Sequence, residues 1–483
     1  MGLLTAIGFL IAGYHPGAED DGVYLAAIQH DLHPELFRVD ADFFALQLQA
    51  TIFDKVMAGF IRLTHLPVAM ALLGWHLLSI FAILAACYRI VSRCFEEAYA
   101  RWFGVSLLAV LLTLPVSGTA LYVVDQNLHP RAIATALALF ALDLILDRRY
   151  VLGFALALSA MLFHPLMGAF GLSLCFFTAL PWPGDALRGT MMAAFAVPMG
   201  WIFEPTSPAW RAAVNTRNYY HLTRWSWYEW LGVIAPVLLL WWFGVIGKRL
   251  QRPVLERLAK RTAVYGTFQL AVALAMALPT ALERLRPMQP MRYLHLEYVV
   301  LIAMGGCFIG EYIVRGHKWR WAAILVPAAI GMFLAQRATY PDSPHLELPG
   351  MKSSNEWVES FAWIRNNTPE NAYFVLGPEY LHRPGEDCHG FRSLALRSAL
   401  ADNVKDSAVV TQVPRLAARW EREVAAQATH PVLGPSDWQH VTADDLNRLK
   451  SQSGVNWVVL ELPSSLKLDC PYQNSRVEVC RIQ

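Results

Sequence analysis

The chain has 483 residues, 55% of them hydrophobic and only 16% charged, with a mean hydropathy of +0.34. Soluble domains carry about 25% charged residues, so a soluble enzyme and a disordered chain are both excluded. The net charge of +2 gives no basic field for nucleic acid, and seven Cys in this length do not make a disulfide scaffold.

Residues 1–337 are apolar runs separated by short charged loops. From 338 to 483 the apolar runs shrink to strand length and charge is spread throughout. The pattern predicts a polytopic membrane domain over 1–337, with an outer loop at 14–65, followed by a small soluble α/β domain over 338–483. About eleven transmembrane helices are expected. They lie near 1–13, 66–91, 102–117, 131–147, 150–164, 166–181, 188–203, 229–246, 262–280, 293–314 and 321–337. The first is short for a span and lacks the basic leader of a signal peptide, which fits a start lying upstream of Met1. His164-Pro165 divides what would otherwise be an over-long span, because Pro ends a helix at the residue before it.

Lys and Arg favour short cytoplasmic loops. Arg89, Arg93 and Arg101 form one such cluster. Arg148 and Arg149 form another, and Arg315, Lys318 and Arg320 a third. The loop 247–261 adds Lys248, Arg249, Arg252, Arg257, Lys260 and Arg261. All four fall on the cytoplasmic side if the N-terminus is cytoplasmic. The C-terminal domain is then extracytoplasmic, or periplasmic in a bacterial inner membrane.

On the outer side the first loop is acidic. Glu19, Asp20 and Asp21 follow the first span directly, and mutual repulsion raises the pKa of at least one. Asp20 or Asp21 is therefore the expected catalytic base, with Glu19 beside it in substrate binding. A solvated loop is the plainer reading. No cofactor is required, although carboxylates of this kind also take a divalent cation. The later part of the loop, 45–63, has helical apolar spacing and suits a helix on the membrane surface.

Asp125, Gln126, Asn127, His129 and Arg131 make a polar knot before the fourth span. His129-Pro130 also suits a plain helix start. His164 sits in an apolar stretch, where an ionisable residue either faces a functional cavity or is a satisfied core group. The loop 204–228 is rich in Trp and Tyr, as at a membrane interface. The loop 281–292 places Arg284, Arg286 and Arg292 outside, against the positive-inside tendency. Glu283 is a local partner for them; the functional reading is a phosphate or pyrophosphate held by guanidinium forks. His295 and Glu297 follow just inside the next span. Asp125, His129, His164, Arg284, Arg286, Arg292, His295 and Glu297 are thus the expected substrate-binding residues. Asp143 and Glu311 are expected to pair with Arg148, Arg149 or Arg315. Gly306-x-x-x-Gly310 is a weak helix-packing motif.

No P-loop, dinucleotide fingerprint, His-Glu-x-x-His or Cys-x-x-Cys occurs. ATP hydrolysis, nicotinamide chemistry and a zinc hydrolase are not expected, and no side chain is assigned as a metal ligand. In the soluble domain, helices are predicted near 354–366, 411–427 and 443–452. Strands are predicted at 372–376 and 456–460, with an edge strand at 476–482. Cys470 and Cys480, near in sequence and on the outside, are expected to pair and leave Cys388 free.

An acidic pair after span one, a surface helix in the first loop, many spans and an outer C-terminal domain together resemble the GT-C-fold integral-membrane glycosyltransferases of bacterial type. RRYVLGFALALSAMLFHPLMGAF at 148–170 and WIRNNTPENAYFVLGP at 363–378 are similar to stretches of that superfamily. The resemblance implies transfer of a sugar from a polyprenyl-phosphate donor to a glycan, lipid or protein acceptor. Asp20 or Asp21 would be the catalytic carboxylate, the arginines of 284–292 would hold the donor phosphate, and His164 would line the site. The oligosaccharyltransferase Trp-Trp-Asp signature is absent. A transporter and a non-catalytic scaffold of polysaccharide assembly are the alternatives.

Overall fold

In the computed structural model, residues 1–180, 205–381, 389–427, 438–464 and 466–482 are described. The expected span 188–203 and Cys388 lie outside them. The chain divides into two compact units, one of Met1–Gly13, Gly74–Pro205 and Asn218–Gln336, the other of Tyr14–Leu73, Thr206–Arg217 and Arg337–Gln483.

The first unit is helical because its apolar runs can satisfy backbone polar groups only internally. Among the described residues its helices are Gly2–Ala12, Ala98–Val110, Pro130–Leu146, Tyr150–Phe163, Pro165–Ala179, Trp227–Arg249, Pro253–Ala277 and Leu294–Ile309, together with Val68–Cys94 from Gly74 onward and Lys318–Thr339 up to Gln336. Val68–Cys94, Trp227–Arg249, Lys318–Thr339 and the helical stretch Thr280–Val314 are long and apolar enough to cross a membrane. Pro236 and Pro327 lie within two of these, as spanning helices tolerate.

Several boundaries differ from the hydropathy reading. The run 102–117 is helical only over Ala98–Val110; beyond a turn, Pro115–Val116 (β1) pairs antiparallel with Leu121–Tyr122 (β2). A helix already begins at Pro253, so Arg257, Lys260 and Arg261 ride on its first turns instead of in a loop. Proline suits that first position because it lacks the N–H that would go unpaired there. Lys260 pairs with Glu256 one turn away.

Gly306-x-x-x-Gly310 packs as a small-residue face. A Cβ on Gly306 would meet the Gly104 Cα at 2.7 Å, and one on Gly310 would meet the Ala100 Cα at 2.8 Å. The two helices therefore approach through small residues on both sides. The buried acids take partners distant in sequence. Asp143 is held by Arg89 and Arg93, and Glu311 by Arg252 in a two-pronged pair. These replace the near-neighbour arginines expected for them, because helix packing brings other basic residues closer.

In the second unit the outer-loop helix breaks in two, Asp42–Leu48 and Phe53–Thr64. The expected helix at 411–427 also divides, into Lys405–Gln412 and Ala417–Gln427, with Pro414 between them. The sheet contains Tyr373–Val375 (β3), Ser398–Ala399 (β4), Trp457–Glu461 (β5), Asp469–Gln473 (β6) and Val477–Arg481 (β7), in the order β4-β3-β5-β7-β6. Strand β7 is interior, not an edge: its Val477, Val479 and Cys480 are buried, and β6 takes the edge. Helix Glu356–Asn367 covers one face through Trp357, Phe361 and Ile364, against Phe374, Val459 and Val479. Cys470 and Cys480 form the expected disulfide across β6 and β7.

Candidate functional site

Two polar centres stand out, one in each unit. In the second unit the acidic run lies at the start of helix Asp21–Leu32. Asp21 is buried and accepts from the Gly17 amide at 2.6 Å. Burial pushes its carboxyl up to about 7; the Gly17 bond and His389 work against that rise and the Asp20 charge adds to it. Asp20 and Glu19 are about half exposed and share one cation. Lys405 Nζ donates to Glu19 Oε2 at 2.9 Å and to Asp20 Oδ1 at 3.2 Å. Burial disfavours the Lys405 ammonium, yet these two carboxylates raise its pKa above the ordinary value. Neighbouring carboxylates in such different surroundings can take separate proton roles.

Sequence reading missed the groups around this loop. Glu347 accepts from His15 Nδ1 at 2.8 Å and from His389 Nε2 at 3.1 Å. Burial works against its charge, but the two imidazoles hold its carboxyl down at about 2. Beyond Lys405 lies Arg392, buried between Asp40 and Asp406. Glu347, His389, Arg392, Lys405 and Asp406 stand hundreds of positions from the acidic run, and none belongs to a local motif. The one available signal was His15-Pro16, directly ahead of it.

The first unit holds the second centre. Arg131 forks onto Asp125, Nε to Oδ2 at 3.2 Å and Nη2 to Oδ1 at 2.5 Å. His129 is the residue before helix Pro130–Leu146, and its Nδ1 accepts from the Arg131 amide at 3.0 Å. His164 does the same for helix Pro165–Ala179, accepting from the Met167 amide at 3.3 Å. Both histidines therefore cap helices, which satisfies one orphan donor each. Their ring centres lie 6.1 Å apart, with the planes inclined by 29°. His295 Nε2 donates to the Val123 carbonyl at 2.8 Å. Arg131 and Arg292 are within electrostatic range of both His164 and His295.

Arg286 and Arg292 line a small crevice together with Thr119, Tyr219, Tyr220 and Gln289. Gln289 Nε2 donates to the Tyr220 hydroxyl at 3.3 Å. Arg284 is not part of that lining; its Nη2 donates to the Pro205 carbonyl at 3.1 Å. Glu297 is fully buried, packed against Gly266 where a Cβ would fall 2.5 Å from Oε1, and it too lies outside that lining.

Among the described residues, one group brings metal-type ligand atoms together, Cys470, Glu478 and Cys480. Those cysteines are joined in a disulfide and so offer no thiolate.

No family model matches the sequence, and no curated protein matches it. Among solved structures the chain is similar to the oligosaccharyltransferase of Archaeoglobus fulgidus tethered with an acceptor peptide. That alignment has 11% identity, covers 95% of this chain and 68% of that one, and has a TM-score of 0.47. It is similar also to the oligosaccharyltransferase AglB from Archaeoglobus fulgidus in complex with an inhibitory peptide and a dolichol-phosphate, at 11% identity, 95% and 69% coverage and TM-score 0.48. A third similarity is to the Archaeoglobus fulgidus enzyme in complex with Zn and sulfate, at 13% identity, 95% and 67% coverage and TM-score 0.46.

Proposed function

We propose that the chain is an integral-membrane glycosyltransferase that moves a sugar from a polyprenyl-phosphate donor to an acceptor hydroxyl or amide on the extracytoplasmic face. The observation that carries the reading is the crevice that Arg286 and Arg292 line in the helical unit. A guanidinium pair in the short helical turns between apolar helices fits a ligand with an anionic head and a hydrocarbon chain. Arginine grips phosphate in a fork and stays charged at any working pH. Tyr219, Tyr220 and Gln289 add flat faces and hydrogen-bonding groups suited to a sugar ring.

The reading assigns proton removal from the acceptor to Asp20 or Asp21 and charge neutralisation on the departing lipid phosphate to Arg286 and Arg292. Glu19, Asp125, His129, His164, His295 and Glu297 are assigned to binding and support, and Arg284, through the Pro205 carbonyl, to holding its loop and not to gripping the phosphate. Attack on the anomeric carbon breaks its bond to the phosphate oxygen, and direct displacement inverts the configuration. The lipid phosphate is already a competent leaving group, so the reading requires no metal; a divalent cation at the carboxylates is the variant that chelation tests. The reading also includes about eleven spans, a cytoplasmic N-terminus, the soluble domain 338–483 in the periplasm and a bacterial inner membrane.

The test is transfer of labelled sugar by the purified full chain in proteoliposomes. The donors are a panel of polyprenyl-phosphate hexoses and pentoses, and the acceptors are membrane lipids, glycans and peptides. Transfer that needs Arg292 supports the proposal. Absence of both transfer and binding of every donor overturns it in favour of a transporter or scaffold.

A further inference from the structure

The loop from Tyr14 to Asp21 makes little regular structure of its own. It is fixed by two isolated bridges, Tyr14 parallel to Leu346 and Ala18 antiparallel to His389. The Gly390 amide donates to the Gly17 carbonyl at 2.8 Å, and the Gly17 amide in turn donates to Asp21. Gly390 and Gly22 touch so closely that a Cβ on Gly390 would lie 2.7 Å from the Gly22 Cα.

A charged centre joins these bridges. One oxygen of Glu347 accepts from His15 and from His389, and the other accepts from His389 at 3.2 Å. Both histidine side chains are essentially inaccessible, and Glu347 is 10% exposed. Tyr340 stacks on His15 with ring centres 3.8 Å apart. Carboxylate oxygens only accept, so each imidazole must present an N–H toward Glu347. That condition fixes the direction of both rings, and each ring belongs to a residue in or next to one of the bridges.

A buried carboxylate costs several kcal/mol to desolvate, and hydrophobic packing at the same place is often as stable. Packing alone therefore does not account for a charge here. What the charge adds is direction, since two donors, one from the loop itself and one from the segment bridged to it, converge on one carboxylate. We propose that Glu347 is a positioning residue: by holding His15 and His389 together, it sets the backbone of Tyr14–Asp21 and so the placement of Asp20 and Asp21. The catalytic consequence rests on the transferase reading, whereas the anchoring does not.

The test compares the full chain in nanodiscs with Glu347→Gln and Glu347→Asp. Gln keeps the size but removes the charge, and its amide nitrogen can meet His389 only if that imidazole changes tautomer. Expected is a rise of about tenfold or more in hydrogen exchange over 14–21, with β3 and β5 unchanged. In the transfer assay, kcat should fall about 10²-fold, the scale of a misplacement of ~1 Å, with KM for the polyprenyl-phosphate sugar unchanged. Glu347→Asp keeps the charge and should recover part of kcat. Unchanged exchange over 14–21 in Glu347→Gln overturns the anchoring, whatever the activity. Faster exchange there with normal kcat overturns the link to catalysis. If the wild type transfers no sugar, the transferase reading fails and the exchange comparison still decides the anchoring. If Glu347→Gln loosens β3 and β5 as well, Glu347→Asp and His389→Gln carry the same comparison. If they too loosen both regions equally, the role is general packing and the proposal falls.

Discussion

Lys405 donates to Asp20 at 3.2 Å across 385 positions of sequence. The ammonium is buried while the carboxylate is half exposed, so the pair is asymmetric: the lysine depends on its partners more than they depend on it. Glu19, at 2.9 Å, is the second partner.

That asymmetry predicts non-additive substitutions. Asp20→Asn leaves Glu19 to neutralise Lys405, and the cost should stay near ~1 kcal/mol, discounted because the carboxylate faces solvent. Glu19→Gln alone should behave similarly. The double substitution leaves a buried ammonium without a counter-charge and should cost more than the sum, about 3 kcal/mol. Denaturant unfolding of the four proteins checks this; simple additivity would mean that water already serves Lys405.

The pH dependence of Asp21 has a definite sign. Its folded-state carboxyl titrates near 7, raised chiefly by burial, against about 3.9 in an unfolded chain. A base must be ionised, so transfer should rise with pH through about 7 if Asp21 is the base. Stability should move the opposite way. The protonated carboxyl favours the fold, so the contribution is fully present below about 3.9 and is lost as pH rises through about 7, by at most ~1.4 kcal/mol per pH unit. Asp21→Asn should flatten the stability slope over that window and reduce turnover by about 10²–10⁴. An unchanged pH–rate limb in Asp20→Asn together with loss of the limb in Asp21→Asn would assign the base to Asp21.

The helices were legible because an apolar run in a bilayer has one backbone solution, and His164-Pro165 marked its break. Strand order was not: 476–482 alternates like an edge strand, but Val477, Val479 and Cys480 are buried between β5 and β6. Alternation reports two unlike faces, not the number of neighbours. The acidic run at 19–21 was visible as a local cluster. His15–Glu347–His389 and Lys405 were not, since their meaning lies in contacts that span 332 positions from His15 to Glu347, 42 from Glu347 to His389 and 386 from Glu19 to Lys405. The capping roles of His129 and His164 were half legible, through the proline after each.

The Cys470–Cys480 bond ties edge strand β6 to β7 over a separation of ten residues. Closing so short a ring contributes at most roughly 2–3 kcal/mol in the chain-entropy model. Reduction, or Cys470→Ser with Cys480→Ser, should speed hydrogen exchange in β6 and leave β3 and β5 protected. Loss of protection across the whole sheet would show that the bond carries the fold of the unit and not just its edge.

The three arginines of the loop 281–292 should separate in their effects. Arg292 is buried and shares the crevice with Arg286, whereas Arg284 reaches the backbone of Pro205. A charge-assisted hydrogen bond contributes about 1.5–3 kcal/mol, so Arg292→Ala should weaken binding of a polyprenyl-phosphate sugar by about 10–100-fold. Arg292→Lys keeps the charge without the fork and should recover only part of that loss. Arg286→Ala should resemble Arg292→Ala, and Arg284→Ala should stay close to wild type. Equilibrium binding of the labelled donor measures the series directly. Equal losses at all three positions would point to a diffuse field over the loop, because only a crevice built by Arg286 and Arg292 predicts that the arginine outside its lining is dispensable.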